Sequence, residues 1–164
     1  MKLVNLARYR RYFMLVATLV VAGLSVADVA AADYQRPLFT QKHIRLLLQE
    51  VYTSVGVPYI PSGTNPEIGF DCSGLVYYAM QQIGMRVPRN SRDQYLASRP
   101  VSKNALQAGD LVFFRTRGRG VSHVGIYIGN NRFVHAFSSG KPATITSLSA
   151  SYWSARFVRG GRFV

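Results

Sequence analysis

Cys72, His123 and His135 are the residues of this 164-residue chain whose types suit nucleophilic chemistry. Cys72 is the single cysteine, and the chain has three histidines. Cysteine attacks as thiolate, and an unperturbed thiol with a pKa of about 8.5 is only about 3% ionised at pH 7. A helix N-terminus favours the anion by about 0.3–1 kcal/mol. A neighbouring imidazolium does more and can bring the pKa down to about 3–7. Asp71 reads as the N-cap of a helix opening at Cys72, so the thiol has the first device. His123 is the candidate for the second. His135 would orient it through its other ring nitrogen, as the third member of a triad. Asp71 opposes both devices unless its carboxylate is consumed in capping. The Cys72 amide, free at a helix start, can donate to a developing oxyanion, and Tyr59 in the upstream loop can add a hydroxyl. A zinc site of Cys72, His123, His135 and water is the metal alternative, but the long separations carry no metal-motif signal.

The elements that must position these groups follow from periodicity. Thr40 can cap a helix to about Val55, with Ile44, Leu47, Leu48, Val51 and Val55 on one face and Gly56 ending it. His43 has no chemical context there and reads as a surface residue. Residues 58–69 read as a loop. Leu75, Val76, Ala79, Met80 and Ile83 then make the stripe of a central helix stopped by Gly84. Residues 88–97 suggest one or two helical turns. Strands are expected at 111–114, 123–128, 132–137, 144–148 and 157–163. Helices first and strands after, on short connections, argue for an α+β domain whose antiparallel sheet packs on helices.

One hairpin decides whether the two histidines meet. A two-residue loop with Ile128 opposite Phe133 would send His123 and His135 to opposite faces. A three-residue loop, Gly129-Asn130-Asn131, pairs Ile128 with Arg132 and Gly125 with His135. His123 then shares a face with His135, and Val124, Ile126, Val134 and Ala136 gather on the other. The apolar pattern favours this register.

Composition narrows the class. Hydrophobic residues make up 48% of the chain, enough for a packed core, and one cysteine excludes disulfide scaffolds and multi-cysteine metal modules. Lys2, Arg8, Arg10 and Arg11 precede the uncharged run from Tyr12 to Ala27, and Ala30-Ala31-Ala32 supplies the small residues of a cleavage site. Residues 1–32 therefore read as a cleavable secretory signal. The run of 16 residues is shorter than the roughly 20 needed to span a bilayer. The net charge of +13 falls to +10 once residues 1–32, with their four basic residues and Asp28, are removed. Arg115, Arg117 and Arg119 form the one dense basic cluster beyond the N-terminus, with no recognition-helix spacing. Nucleic acid is thus set aside as partner in favour of an anionic cell envelope. In an oxidising compartment the lone thiol has no internal partner.

Phe70-Asp71-Cys72-Ser73-Gly74-Leu75, Pro88-Arg89, Gly109-Asp110-Leu111-Val112-Phe113-Phe114, His123-Val124-Gly125-Ile126-Tyr127-Ile128-Gly129 and Phe133-Val134-His135-Ala136 resemble the NlpC/P60 cell-wall cysteine peptidases. The resemblance spans about residues 56–163. It implies a papain-like α+β fold, an exported bacterial enzyme of the periplasm or exterior, and cleavage of peptidoglycan stem peptides, usually between D-glutamate and a diamino acid. It puts the nucleophile at Cys72, the base at His123 and the third polar residue at His135. Tyr59 falls on the family's loop tyrosine near the oxyanion, and Asp71 and Ser73 flank the nucleophile as substrate-binding candidates. Where the family often has an aromatic residue and paired glycines after that tyrosine, this chain has Ile60-Pro61-Ser62-Gly63. The chain then divides into a signal (1–32), a leader and first helix (33–55) and a catalytic core (56–164). It needs no cofactor or metal and works as a monomer without a membrane span. A non-catalytic envelope-binding module, or an amidase or acyltransferase of the same fold, are the other readings.

Overall fold

Thr40 starts the first helix, α1 (Gln41–Thr53), and its side chain accepts from the His43 amide. The computed structural model describes residues 40–137 and 141–163; the expected signal and leader lie outside them. His43 differs from its expected surface role. It completes a capping box, its Nδ1 accepting from the Thr40 amide at 3.2 Å and bonding the Thr40 hydroxyl at 2.8 Å. Two more helices follow, α2 (Cys72–Gln82) and α3 (Ser91–Ala97). Between α1 and α2 the expected loop contains a two-stranded ribbon of β1 (Thr64–Asn65) and β2 (Gly69–Phe70).

The remaining strands are β3 (Arg99–Val101), β4 (Leu111–Phe114), β5 (His123–Gly129), β6 (Arg132–His135), β7 (Thr144–Ser147) and β8 (Phe157–Arg162). They form a six-stranded antiparallel sheet in the order β3-β8-β4-β5-β6-β7. A short helix, α4 (Ser151–Ser154), connects β7 to β8. The α+β expectation holds; β3 and α4 are additions that the sequence pattern did not indicate.

Strand alternation splits the sheet between two cores. Leu111, Phe113, Val124, Ile126, Val134 and Ala136 bury against Leu47 and Val51 of α1 and Leu75, Val76, Ala79 and Met80 of α2. Val112, Phe114, Phe133 and Leu148 pack on the other face with Trp153 of α4. Each such large apolar side chain contributes about 1.5–3 kcal/mol on burial, so both faces are fixed and so is the register.

The hairpin keeps the expected inner register, Ile126 opposite Val134 and Tyr127 opposite Phe133. Its end differs. Gly129, not Ile128, pairs with Arg132, and the register shifts between Tyr127 and Gly129. Gly129 has φ 85°, and Asn130 and Asn131 form a two-residue turn at φ 49° and 57°. Turn and bulge together absorb the odd residue, so the histidines still share a face.

The loop before α2 is tied to its first turn. The Gly63 carbonyl accepts from the Asp71 amide at 3.1 Å, and a Cβ at Gly74 would run into that carbonyl. Gly74→Ala must therefore push the loop off the helix. We expect it to cost about 1–3 kcal/mol in urea denaturation. An unchanged midpoint would mean that the contact places no demand on the fold.

Candidate active site

The start of α2 is built around Asp71. Its Oδ1 accepts from the Gly74 amide at 2.6 Å, closing the N-cap. Arg89 grips the same carboxylate from both nitrogens, at 3.0 Å to Oδ1 and 2.7 Å to Oδ2. Arg89 also donates to Ser73 Oγ at 3.0 Å, and Ser73 Oγ donates to Asp71 Oδ1 at 3.2 Å. The carboxylate is thus consumed in capping and in a fork-shaped ion pair. Asp71 and Ser73, expected among the substrate-binding residues, have their polar atoms engaged in this network. Arg89 is its organising cation, legible in the sequence only through the Pro88-Arg89 motif.

Cys72 follows directly and is half-buried. Hydrogen bonding from the backbone N–H groups of Val124 and Ser73 favours the thiolate. The Val124 amide is available because β6 ends at His135, opposite Gly125. Tyr127 N–H donates to Asp110 beside β4, so by alternation the Val124 N–H points away from β4, past the end of β6. The Cys72 amide itself donates to no group among the described residues. Burial outweighs these donors: it pushes the thiol up, and the Asp71 charge adds to the rise. The sequence alone pointed to a lowered thiol, because neither burial nor the residual field of Asp71 is visible in a motif.

The histidines meet as expected. His123 Nε2 and His135 Nδ1 are 3.1 Å apart, and His135 Nε2 lies 3.0 Å from Thr146 Oγ1 of β7. Gly125 makes the approach possible. A Cβ there would sit 2.6 Å from a Phe133 ring carbon and 3.2 Å from His135 Cβ. Aromatic rings enclose the pair: Trp153 lies 5.1 Å from the His123 ring and 4.6 Å from that of His135, with Phe137 at 5.1 Å from His123 and Phe133 at 4.8 Å from His135. Each histidine is only 2% exposed. Burial drives His123 well below the ordinary imidazole value, helped by the His135 and Arg117 charges, and holds His135 at about 4. Both imidazoles are therefore neutral at pH 7. No hydrogen bond joins Cys72 Sγ to His123 among the described residues. Thr146 and Trp153 were missed by sequence reading, since nothing local marks a threonine or tryptophan as a neighbour of residues 11 and 30 positions away.

Tyr59 stands on the loop side. Its backbone bridges Phe70, two residues before Cys72. Burial and the Cys72 and Asp71 charges raise its pKa, so the hydroxyl keeps its proton and remains a donor. Among the described residues no group of three or more His, Cys, Asp and Glu side chains could hold a metal ion.

Folding a neutral histidine pair has a pH signature. An unfolded imidazole titrates near 6.5, whereas folded His135 titrates at about 4. Between these values the unfolded chain binds the extra proton, so stability falls as pH drops and the loss is complete below about 4. The gap corresponds to about 3 kcal/mol, and His123 adds in the same direction. Urea unfolding followed by the fluorescence of Trp153 should show this decline, and His135→Asn should flatten it. An equal slope in the variant would contradict the assignment.

Residues 56–162 match the family model described as NlpC/P60. The chain is 41% identical over 126 residues to murein DD-endopeptidase MepH of Escherichia coli, covering 74% of this chain and 46% of that protein. It is 39% identical over 118 residues to the bifunctional muramidase/DL-endopeptidase CwlT of Bacillus subtilis, covering 71% of this chain and 35% of that one. It therefore spans less than half the length of either relative. Among solved structures, an NLP/P60-family protein of Staphylococcus aureus superposes with a TM-score of 0.69 at 35% identity, over 76% of this chain and 42% of the other. With its helices on an antiparallel sheet in the papain-like α+β arrangement, this chain belongs to the NlpC/P60 family.

Proposed function

We propose that the chain is an exported peptidoglycan hydrolase, a thiol endopeptidase of wall stem peptides. Cys72 is its nucleophile, His123 its base and His135 the residue that orients the base. The observation that carries this reading is the hydrogen-bonded His123–His135 pair on β5 and β6, reached by the capped helix start of a family domain. Residues 1–32 serve as the export signal, 33–55 as leader and first helix, and 56–164 as the catalytic core. The substrate is the stem peptide of an anionic envelope, and the net charge of +10 left once residues 1–32 are removed suits that setting.

The tautomers follow from the roles. For His123 Nδ1 to accept the thiol proton, Nε2 must carry a proton and donate it in a hydrogen bond to His135 Nδ1. His135 Nε2–H then donates to Thr146 Oγ1. The sulfur attacks the amide carbon while its proton moves to His123 Nδ1, starting from a neutral pair. The Cys72 N–H and the Tyr59 hydroxyl are the donors available to the oxyanion. His123 returns the proton to the leaving amine as the C–N bond breaks. Water then attacks the thioester, giving a proton to His123, and the C–S bond breaks with the thiol restored.

The bond assigned is D-glutamyl–diamino acid. MepH, whose name describes a DD-endopeptidase, favours the cross-link as a second reading. Product masses from defined muropeptides decide: a new free diamino-acid amine on an uncross-linked stem marks the first, and release of monomers from cross-linked dimers the second. Cys72→Ala and His123→Ala should each lower release by a factor of about 1,000 or more while the protein stays folded. Thr146→Val should lower kcat about ten-fold, and Thr146→Ser should restore it. Full activity in Cys72→Ala would overturn the proposal, and a binding-only protein would retain wall affinity without releasing fragments.

A further inference from the structure

The β4–β5 connection, residues 115–122, carries three arginines on exposed positions and is folded back on the residue next to His123. Ser122 Oγ accepts from the Thr116 amide at 2.9 Å and from the Arg117 amide at 2.9 Å, and it bonds the Thr116 hydroxyl at 3.1 Å. The Ser122 amide in turn donates to the Phe114 carbonyl at 3.0 Å. One serine therefore clips the backbone of Arg117 to the N-terminal end of β5, where the thiol also arrives. Arg115 is anchored differently, its amide donating at 2.9 Å to the Arg156 carbonyl beside β8.

Among the described residues the Arg117 guanidinium has no carboxylate partner. The ion pairs among the described residues are Arg89–Asp71 and Arg162–Asp110. Arg117 makes no side-chain hydrogen bond among them, yet its charge is felt at two places. It opposes the rise of the Tyr59 pKa on the loop side and adds to the fall of the His123 pKa on the sheet side. An exposed, unpaired cation within Coulomb range of both groups, carried on a clipped backbone, is open to an incoming anion.

We propose that Arg117 is a specificity-determining residue that binds a substrate carboxylate beside the scissile amide, so that the enzyme prefers acidic stem peptides to their amidated forms. This rests on the hydrolase reading above. A planar guanidinium takes a carboxylate through two parallel N–H···O bonds, whereas a carboxamide offers one acceptor and no charge. The loss of a charge-assisted bond corresponds to a change of about ten-fold or more.

The test uses two peptides that differ only in carrying a free carboxylate or a carboxamide next to the cleaved bond. Wild-type kcat/KM should favour the carboxylate by about ten-fold, mainly through KM, and less so as salt is raised. In Arg117→Ala the preference should fall to about unity, with Arg117→Lys in between. A merely structural role would weaken both peptides equally. Equal losses, or an undiminished preference in Arg117→Ala, would overturn the proposal. If the wild type cleaves neither peptide, the hydrolase reading fails, and calorimetric binding of the same pair decides for Arg117. Carboxylate-selective binding that is lost in Arg117→Ala upholds it, and any other pattern overturns it.

Discussion

The contact between His123 Nε2 and His135 Nδ1, at 3.1 Å inside a ring of aromatic side chains, is the constraint to which the rest of the structure answers. Two imidazoles so close and so dry cannot both be charged, and burial is the main cause that keeps each of them neutral, aided at His123 by the His135 and Arg117 charges. Gly125 must lack a side chain for them to approach, β7 must run alongside β6 to bring Thr146, and α4 must fold over the sheet to bring Trp153. Each requirement is set by an element far from Cys72 in the chain. The second core of the protein is thus the wall of the histidine pair as well as a source of stability.

On the opposite side, the first turn of α2 solves an electrostatic problem. A carboxylate one residue before a thiol should hold the thiol in its neutral form. Arg89, the Gly74 amide and Ser73 engage both Asp71 oxygens, and Gly63 locks the preceding loop to the same turn. The helix start is thereby rigid, and the Cys72 amide stays unclaimed. Burial still wins over the donors that face the sulfur, so the resting thiol is neutral. Proton transfer then accompanies attack instead of preceding it, and the neutral His123 is the matching acceptor.

Much of this was legible in the sequence, for identifiable reasons. The stripe Leu75, Val76, Ala79, Met80 and Ile83 behind Asp71 specifies α2 because cap and periodicity agree. Alternation over 123–128 and 132–136 specifies the inner register because a slip would expose Val124 and Ile126. The turn was misjudged because Gly129, Asn130 and Asn131 all tolerate positive φ, so residue type cannot separate a three-residue loop from a two-residue turn with a bulge. The two-residue strands β1 and β2, and the four-residue α4, are stabilised by what they pack against and carry no periodicity of their own. His43 escaped notice because a capping box is expected to hold Glu or Gln at that position. The upward shift of the thiol escaped because motifs record neighbours in sequence, whereas desolvation depends on the whole fold.

The free protein holds a neutral thiol and a neutral imidazole pair. The rate of iodoacetamide alkylation of Cys72 across pH 5–10 measures the thiolate directly. The rate should be low at pH 7 and still be climbing past the ordinary thiol value of about 8.5. A fast, pH-independent plateau between pH 5 and 8, lost in His123→Ala, would reveal a thiolate–imidazolium pair and contradict this neutral state.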